Sequence, residues 1–186
     1  MRAFRRVMRA LVIAMVGAAL PLAAQQRADW ELSVGGGAGA PIGDFNDGFD
    51  IGWHGLGAVS YAFPNLPLAL QVDASYAEFR DATPLDLKQT MFYGTGNILY
   101  QFRLSGTVLE PYVIGGGGVY HLDPGGQDAA GLSTRTKFGI NAGAGLSFRA
   151  LNTGLFLESR FHNVFIGNGE GSTQFNNFSL GARFHM

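Results

Sequence analysis

From residue 30 onward, apolar and polar side chains alternate with a period of two, the signature of strands with one oily and one wet face. The pattern is cleanest at the C-terminus. There Phe178, Leu180, Ala182, Phe184 and Met186 alternate with Asn177, Ser179, Gly181, Arg183 and His185 across residues 175–186. Seven further segments fit the same template. They are Trp30 to Ala40, about Ile51 to Phe63, a third opening at Leu68, about Thr90 to Arg103, Glu110 to His121, Lys137 to Arg149 and Leu155 to Phe165. In the fifth, the four glycines 115–118 erase the alternation, and Tyr112, Ile114 and Tyr120 are read as outward-facing. The prolines of the Pro64–Pro67 turn stand at strand ends, where a missing N–H costs no ladder bond.

Connections after segments two, four and six are short. Those after one, three, five and seven (41–50, 80–88, 122–136 and 167–174) are longer and polar. Eight strands of about ten residues with alternating short turns and long loops match a transmembrane barrel. The expected fold is therefore all-β, an eight-stranded antiparallel up-and-down transmembrane β-barrel. The final strand would have an uncovered apolar edge unless it paired with the first and closed the ring. Twenty-eight glycines also argue against helices, where each costs about 1 kcal/mol relative to alanine.

A soluble barrel with its oily face inside would show the same alternation, and volume separates the two. Eight strands enclose space only for side chains or one small ligand. The apolar face carries far too many Phe, Tyr, Leu and Trp side chains for that space, whereas the other face is mainly Gly, Ala, Ser and Asn. The oily face therefore points to lipid, where every backbone group must be bonded internally. Trp30, Trp53, Phe63, Tyr76, Phe92, Phe102, Tyr112, Phe148, Phe161 and Phe184, near strand ends, would form the interfacial girdles.

Residues 1–24 follow a different rule. Arg2, Arg5, Arg6 and Arg9 precede the apolar run Leu11 to Leu20, and small residues end at Ala24. This order predicts a signal peptide over 1–24, with the barrel domain over 25–186. The run is shorter than the ~20 residues of a spanning helix. Removing it takes four of thirteen basic residues and none of fourteen acids, leaving nine against fourteen, a net charge of −5. A mildly acidic chain of this kind has no basic patch for nucleic acid. Without cysteine there is neither a disulfide framework nor a thiolate metal site.

The chain resembles the small outer-membrane β-barrel proteins of Gram-negative bacteria, the OmpA/OmpX-like barrel family, over residues 25–186. Three stretches carry the likeness: Pro41-Ile42-Gly43-Asp44-Phe45, Pro111-Tyr112-Val113 leading into the glycine run, and Leu157-Glu158-Ser159-Arg160-Phe161. The resemblance implies an outer-membrane location. It also makes Ser179, Gly181, Phe184 and Met186 an assembly signal read by the insertion machinery. Met186 departs from the family, which usually ends in Phe. Outer-membrane lipid and that machinery are the implied partners, and the barrel is expected to be a monomer.

Charged side chains fall on the inner face. Glu31, Asp73, Arg103, Arg149, Glu158, Arg160, His162 and Arg183 are read as a lumen charge network, with Lys137 and His185 beside them. Buried charges must be paired, so the expectation is a plug and a poor pore. A selectivity network in a narrow channel or uptake barrel is the alternative. His162 also invites comparison with lipid A deacylases, barrels that carry a His-x-Ser-Asn motif. Here the order is His162-Asn163-Val164-Phe165, so valine takes the nucleophile's place and no base–nucleophile pair is secured. Asp44, Asn46, Asp47 and Asp50 miss the calcium-loop register, because Gly48 falls at position five rather than six. Neither catalytic nor cofactor residues are expected.

Overall fold

In a computed structural model that describes residues 30–80, 87–102, 107–126, 134–150, 153–167 and 171–186, the chain forms eight strands. These are β1 (Trp30–Ile42), β2 (Gly52–Ala62), β3 (Leu68–Arg80), β4 (Leu87–Gln101), β5 (Leu109–Gly126), β6 (Arg135–Ala150), β7 (Thr153–Phe165) and β8 (Ser172–His185), with a single 3-10 turn at Gly43–Phe45. Each pairs antiparallel with the next, and β8 pairs with β1 to close the barrel. The closing ladder runs from Glu31 opposite His185 to Ile42 opposite Gln174, and the Met186 N–H reaches the Trp30 carbonyl at 2.9 Å. No free edge is left, which answers the hazard of the apolar last strand. The expected signal peptide lies outside the described residues, as does Arg103; of Arg149 only the backbone is described.

The stagger follows from the register. Crossing from Trp30 through Tyr61, Leu70, Ile98, Gly115, Ala142, Phe161 and Asn176 returns to β1 at Ala40, ten residues along. A stagger of ten over eight strands sets the strand tilt at about 40–45°.

Strand ends extend beyond the sequence expectation mainly on the long-loop side. β5 continues through Leu122–Gly126, paired with β4 as far as Leu87, and β8 begins at Ser172. Among the described residues the β5–β6 ladder runs to Leu122 opposite Arg135, and Pro124 stands opposite Gln89 of β4.

Parity holds in seven strands and fails in β5. Tyr112, Ile114 and Tyr120 are buried in the lumen, and Val113 and Val119 face out. Tyr112 therefore leaves the predicted girdle. Both faces of β5 carry large residues at its ends, and the glycines between them hide which is which. Two of those glycines are required by close approach: a Cβ on Gly116 or Gly118 would strike the backbone carbonyl of Gly96 or Gly94 on β4.

The lumen is also more apolar than the expected Gly, Ala, Ser and Asn lining. Phe79, Met91, Tyr93, Tyr120, Leu122, Val164 and Phe175 form a buried cluster toward the long loops, with Phe45, Phe49 and Ile166 packed on it. A second cluster, Ala69, Leu99, Tyr112 and Ile114, lies toward the short turns. Glycine makes the room. The Phe79 ring sits 2.9 Å from where a Cβ of Gly39 would be, Phe156 is 2.9 Å from that of Gly35, and Tyr120 is 2.7 Å from that of Gly139. Large rings on some strands thus occupy space that bare backbone leaves on others. Outside, Trp30 with Tyr61 and Tyr100 with Phe102 mark the short-turn end of the oily belt. Trp53 with Tyr76 and Phe138 with Phe165 mark the other.

Candidate functional site

At mid-barrel the register places Asp73 (β3) across the lumen from Arg160 (β7), 87 residues apart in sequence. The Arg160 guanidinium donates to Asp73 Oδ2 at 2.8 Å, and through Nε to Glu158 Oε1 at 2.8 Å. Its second terminal nitrogen lies 2.6 Å from the same Glu158 oxygen. Both pairs are sealed from solvent, with side-chain exposures of 6% for Arg160, 2% for Asp73 and 3% for Glu158. The remaining lone pairs are covered as well. Thr95 donates to Asp73 Oδ1 at 2.8 Å, Asn97 to Oδ2 at 2.8 Å and Gln71 to Oδ2 at 3.2 Å. The Tyr112 hydroxyl donates to Glu158 Oε2 at 2.9 Å. Two carboxylates against one guanidinium, with neutral donors filling the rest, is the arrangement in which a buried ion cluster is tolerated.

Above this cluster, toward the long loops, the polar groups become aromatic. Tyr120 Oη lies 2.9 Å from His162 Nδ1, and the His162 ring stacks on Phe175 at 4.7 Å between centroids. Tyr93 stacks on Tyr120 at 4.9 Å and accepts from Asn177 Nδ2 at 2.6 Å. Over them sits the apolar cluster of Phe79, Met91, Leu122 and Val164, joined by Phe45 through a 5.1 Å contact with Phe79. Phe45 and Phe49 belong to the first long connection, which therefore folds into the barrel mouth.

The predicted network thus divides. Asp73, Glu158 and Arg160 form one cluster, and His162 stands one layer away with only neutral hydrogen-bond partners. Glu31 instead pairs with His185 at 2.8 Å on the β1–β8 seam near the short-turn rim. Arg183 lies 4.6 Å over the Tyr112 ring and 5.1 Å over Phe156, a cation–π seat. Thr95, Asn97 and Gln71 are the partners that reading single residues missed. Asn97 and Gln71 lie on the lumen faces of β4 and β3, and their convergence on Asp73 depends on register. Tyr112 was missed because its facing was wrong.

Of the C-terminal residues singled out, Ser179 lies in the lumen 2.9 Å from His54 Nε2. Gly181 makes room for Phe156, and Phe184 faces out. Among the described residues no group of three or more His, Asp or Glu could hold a metal ion, and no helix is long and apolar enough to cross a membrane.

Residues 10–185 match the model of the outer membrane protein beta-barrel domain family. The chain belongs to that family. Among solved structures, Neisserial surface protein A is similar with a TM-score of 0.67 at 15% identity, over 87% of this chain and 100% of its own. The N-terminal barrel domain of Pseudomonas aeruginosa OprF gives 0.53 at 16%, over 87% and 100%. The outer membrane enzyme PagL gives 0.51 at 18%, over 84% and 99%. At these identities the likeness establishes the fold, the same eight-stranded membrane barrel in each case. A comparison with curated proteins finds no match.

Proposed function

We propose that this outer-membrane barrel is a structural or surface-interaction protein that neither conducts solutes nor catalyses a reaction. Residues 1–24 serve as its signal peptide, and outer-membrane lipid surrounds the monomer. Its C-terminal strand, through Ser179, Gly181, Phe184 and Met186, engages the assembly machinery. The observation that carries the reading is the filled cross-section. Asp73, Arg160 and Glu158 bridge the lumen, and the Phe79–Phe175 cluster with Phe45 covers them on the loop side. His162 supports the absence of catalysis: it is 1% exposed, points into the barrel and is engaged by Tyr120 and Phe175, away from any lipid substrate.

Planar-bilayer recording on the refolded protein tests this. Wild type is expected to give no steady channels. Replacing Phe79 and Phe175 by alanine together with Arg160→Ala, which empties both layers, is expected to give discrete openings. Steady wild-type currents would overturn the closed-lumen reading. Lipid A mass spectra from cells with and without the protein test catalysis, and a shift in acylation would overturn the second half.

A further inference from the structure

The lipid-facing surface of β8 departs from the rest of the belt, polar where its neighbours carry large apolar side chains. Near the long-loop ends of β2, β3, β4, β6 and β7 the outward side chains are aromatic: Trp53, Tyr76, Phe92, Phe138 and Phe165. On β8 the corresponding outward positions are Ser172, Gln174 and Asn176, and on neighbouring β1 they are Ala38, Ala40 and Ile42. The polar groups bind one another. Gln174 donates to Asn163 of β7 at 2.9 Å and to Ser172 at 3.1 Å, and Asn176 donates to Ser159 of β7 at 2.9 Å. Ser159 lies well inside the oily belt, cross-strand from Ala144 and Phe178.

An apolar trough of about 630 Å³ adjoins this ladder on the outer surface. Ser159 is common to both. Leu146, Leu157 and Leu180 line the side toward the short turns, and Ala144 and Gly36 add small residues. A polar ladder toward the long loops and an apolar trough toward the membrane centre follow the polarity of an acylated amphiphile in the leaflet on the loop side. The ladder is also deep. Ser172, Gln174 and Asn176 span about 13 Å along the strand, about 9–10 Å of depth at the strand tilt, with Ser159 deeper still. A diacyl phospholipid presents its esters at one level. Groups at several depths match a glycolipid with amide-linked and hydroxylated chains. The internal bonds use one N–H of Asn176 and both of Gln174, so the side-chain oxygens of these two and the N–H groups of Asn163 remain to meet a ligand.

We propose that the β7–β8 face is a specific site for an acyl glycolipid of the loop-side leaflet, one chain in the trough and its amide and hydroxyl groups on Asn163, Gln174 and Asn176. The site is neutral, so selection rests on the linkage groups rather than on phosphate.

Native mass spectrometry of the refolded full chain, titrated with a hexa-acyl glucosamine-disaccharide lipid or with dioleoylphosphatidylglycerol, tests this. The expected result is a one-to-one glycolipid adduct that outlasts the phospholipid adduct as collision energy rises. Two independent variants should each weaken it by about tenfold, the scale of one or two lost hydrogen bonds or of a blocked chain. These are Gln174→Leu with Asn176→Leu, which strips the ladder, and Ala144→Phe, which fills the trough. Val72→Leu, on the far side of the belt, should leave binding unchanged. Heat-modifiable gel mobility establishes that each variant is folded, and the wild-type competition between the two lipids decides the matter if neither is. Equal retention of both lipids, or adducts indifferent to both variants, would overturn the proposal. So would barrel-to-barrel crosslinking of an Ala144→Cys variant in glycolipid-containing vesicles, because a second copy would then be the occupant.

Discussion

Replacing Arg160 by methionine removes the guanidinium while keeping most of the side-chain volume. Asp73 then keeps Thr95, Asn97 and Gln71, and Glu158 keeps Tyr112, so both carboxylates stay buried with neutral donors only. Removing one partner of a buried pair costs about 3–5 kcal/mol, because the charge left behind is uncompensated. The low exposures of all three side chains argue against discounting that figure for solvent. With a urea slope of about 2 kcal/mol/M, the midpoint of unfolding from lipid vesicles should fall by about 1.5–2.5 M. A triple variant, Arg160→Met with Asp73→Asn and Glu158→Gln, tests the cause. Its amide oxygens still accept from Thr95 and Tyr112, and no charge remains, so at least half of the loss should return. The assay is the folded band on an unboiled gel across the titration. A shift under about 0.5 M for Arg160→Met, or a triple variant no better than the single one, would refute the sealed-cluster reasoning.

Two further outcomes follow from the strand geometry. Gly118→Ala, whose Cβ would meet the Gly94 carbonyl, should fold poorly, whereas Gly96→Ala, with open space around its Cβ, should fold as wild type; refolding yield on the unboiled gel distinguishes them. Leu180→Lys, at an outward position 59% exposed within the belt, should cost about 2–4 kcal/mol, and Thr90→Lys, beyond the aromatic ring on β4, about 0–1. Equal costs in vesicle unfolding titrations would mean that the oily face is not the lipid face.

Strands were legible because their constraint is local. In β3, Leu70, Val72 and Ala74 alternate with Gln71, Asp73 and Ser75, and one face must be buried in lipid for any such pattern to persist. β5 was not legible, since four glycines carry no facing information and the decisive contacts, Gly116 and Gly118 against β4, are made by backbone. The central site was half legible. Parity put Asp73, Glu158 and Arg160 inside, but their meeting depends on the ten-residue stagger, a property of the closed ring rather than of any segment. Parity likewise put Glu31 and Arg183 on the wet face without showing that one meets His185 and the other the Tyr112 ring. A carboxylate and a guanidinium on the wet face look alike in sequence whether they lie at the middle of the barrel or at its rim. The apolar lumen clusters were hidden because Phe79 and Phe175 lie at the ends of runs where alternation gives way to loop.

The closing ladder between β1 and β8 constrains how such a chain can change length. Because neighbouring side chains alternate between lipid and lumen, inserting or deleting one residue inside β8 would turn Leu180 and Phe184 inward and Arg183 outward, reversing every position beyond the edit. Two residues at a time would keep the faces and change only the stagger. β5 obeys the same rule to its last residue, because it is paired with β4 as far as Gly126 opposite Leu87.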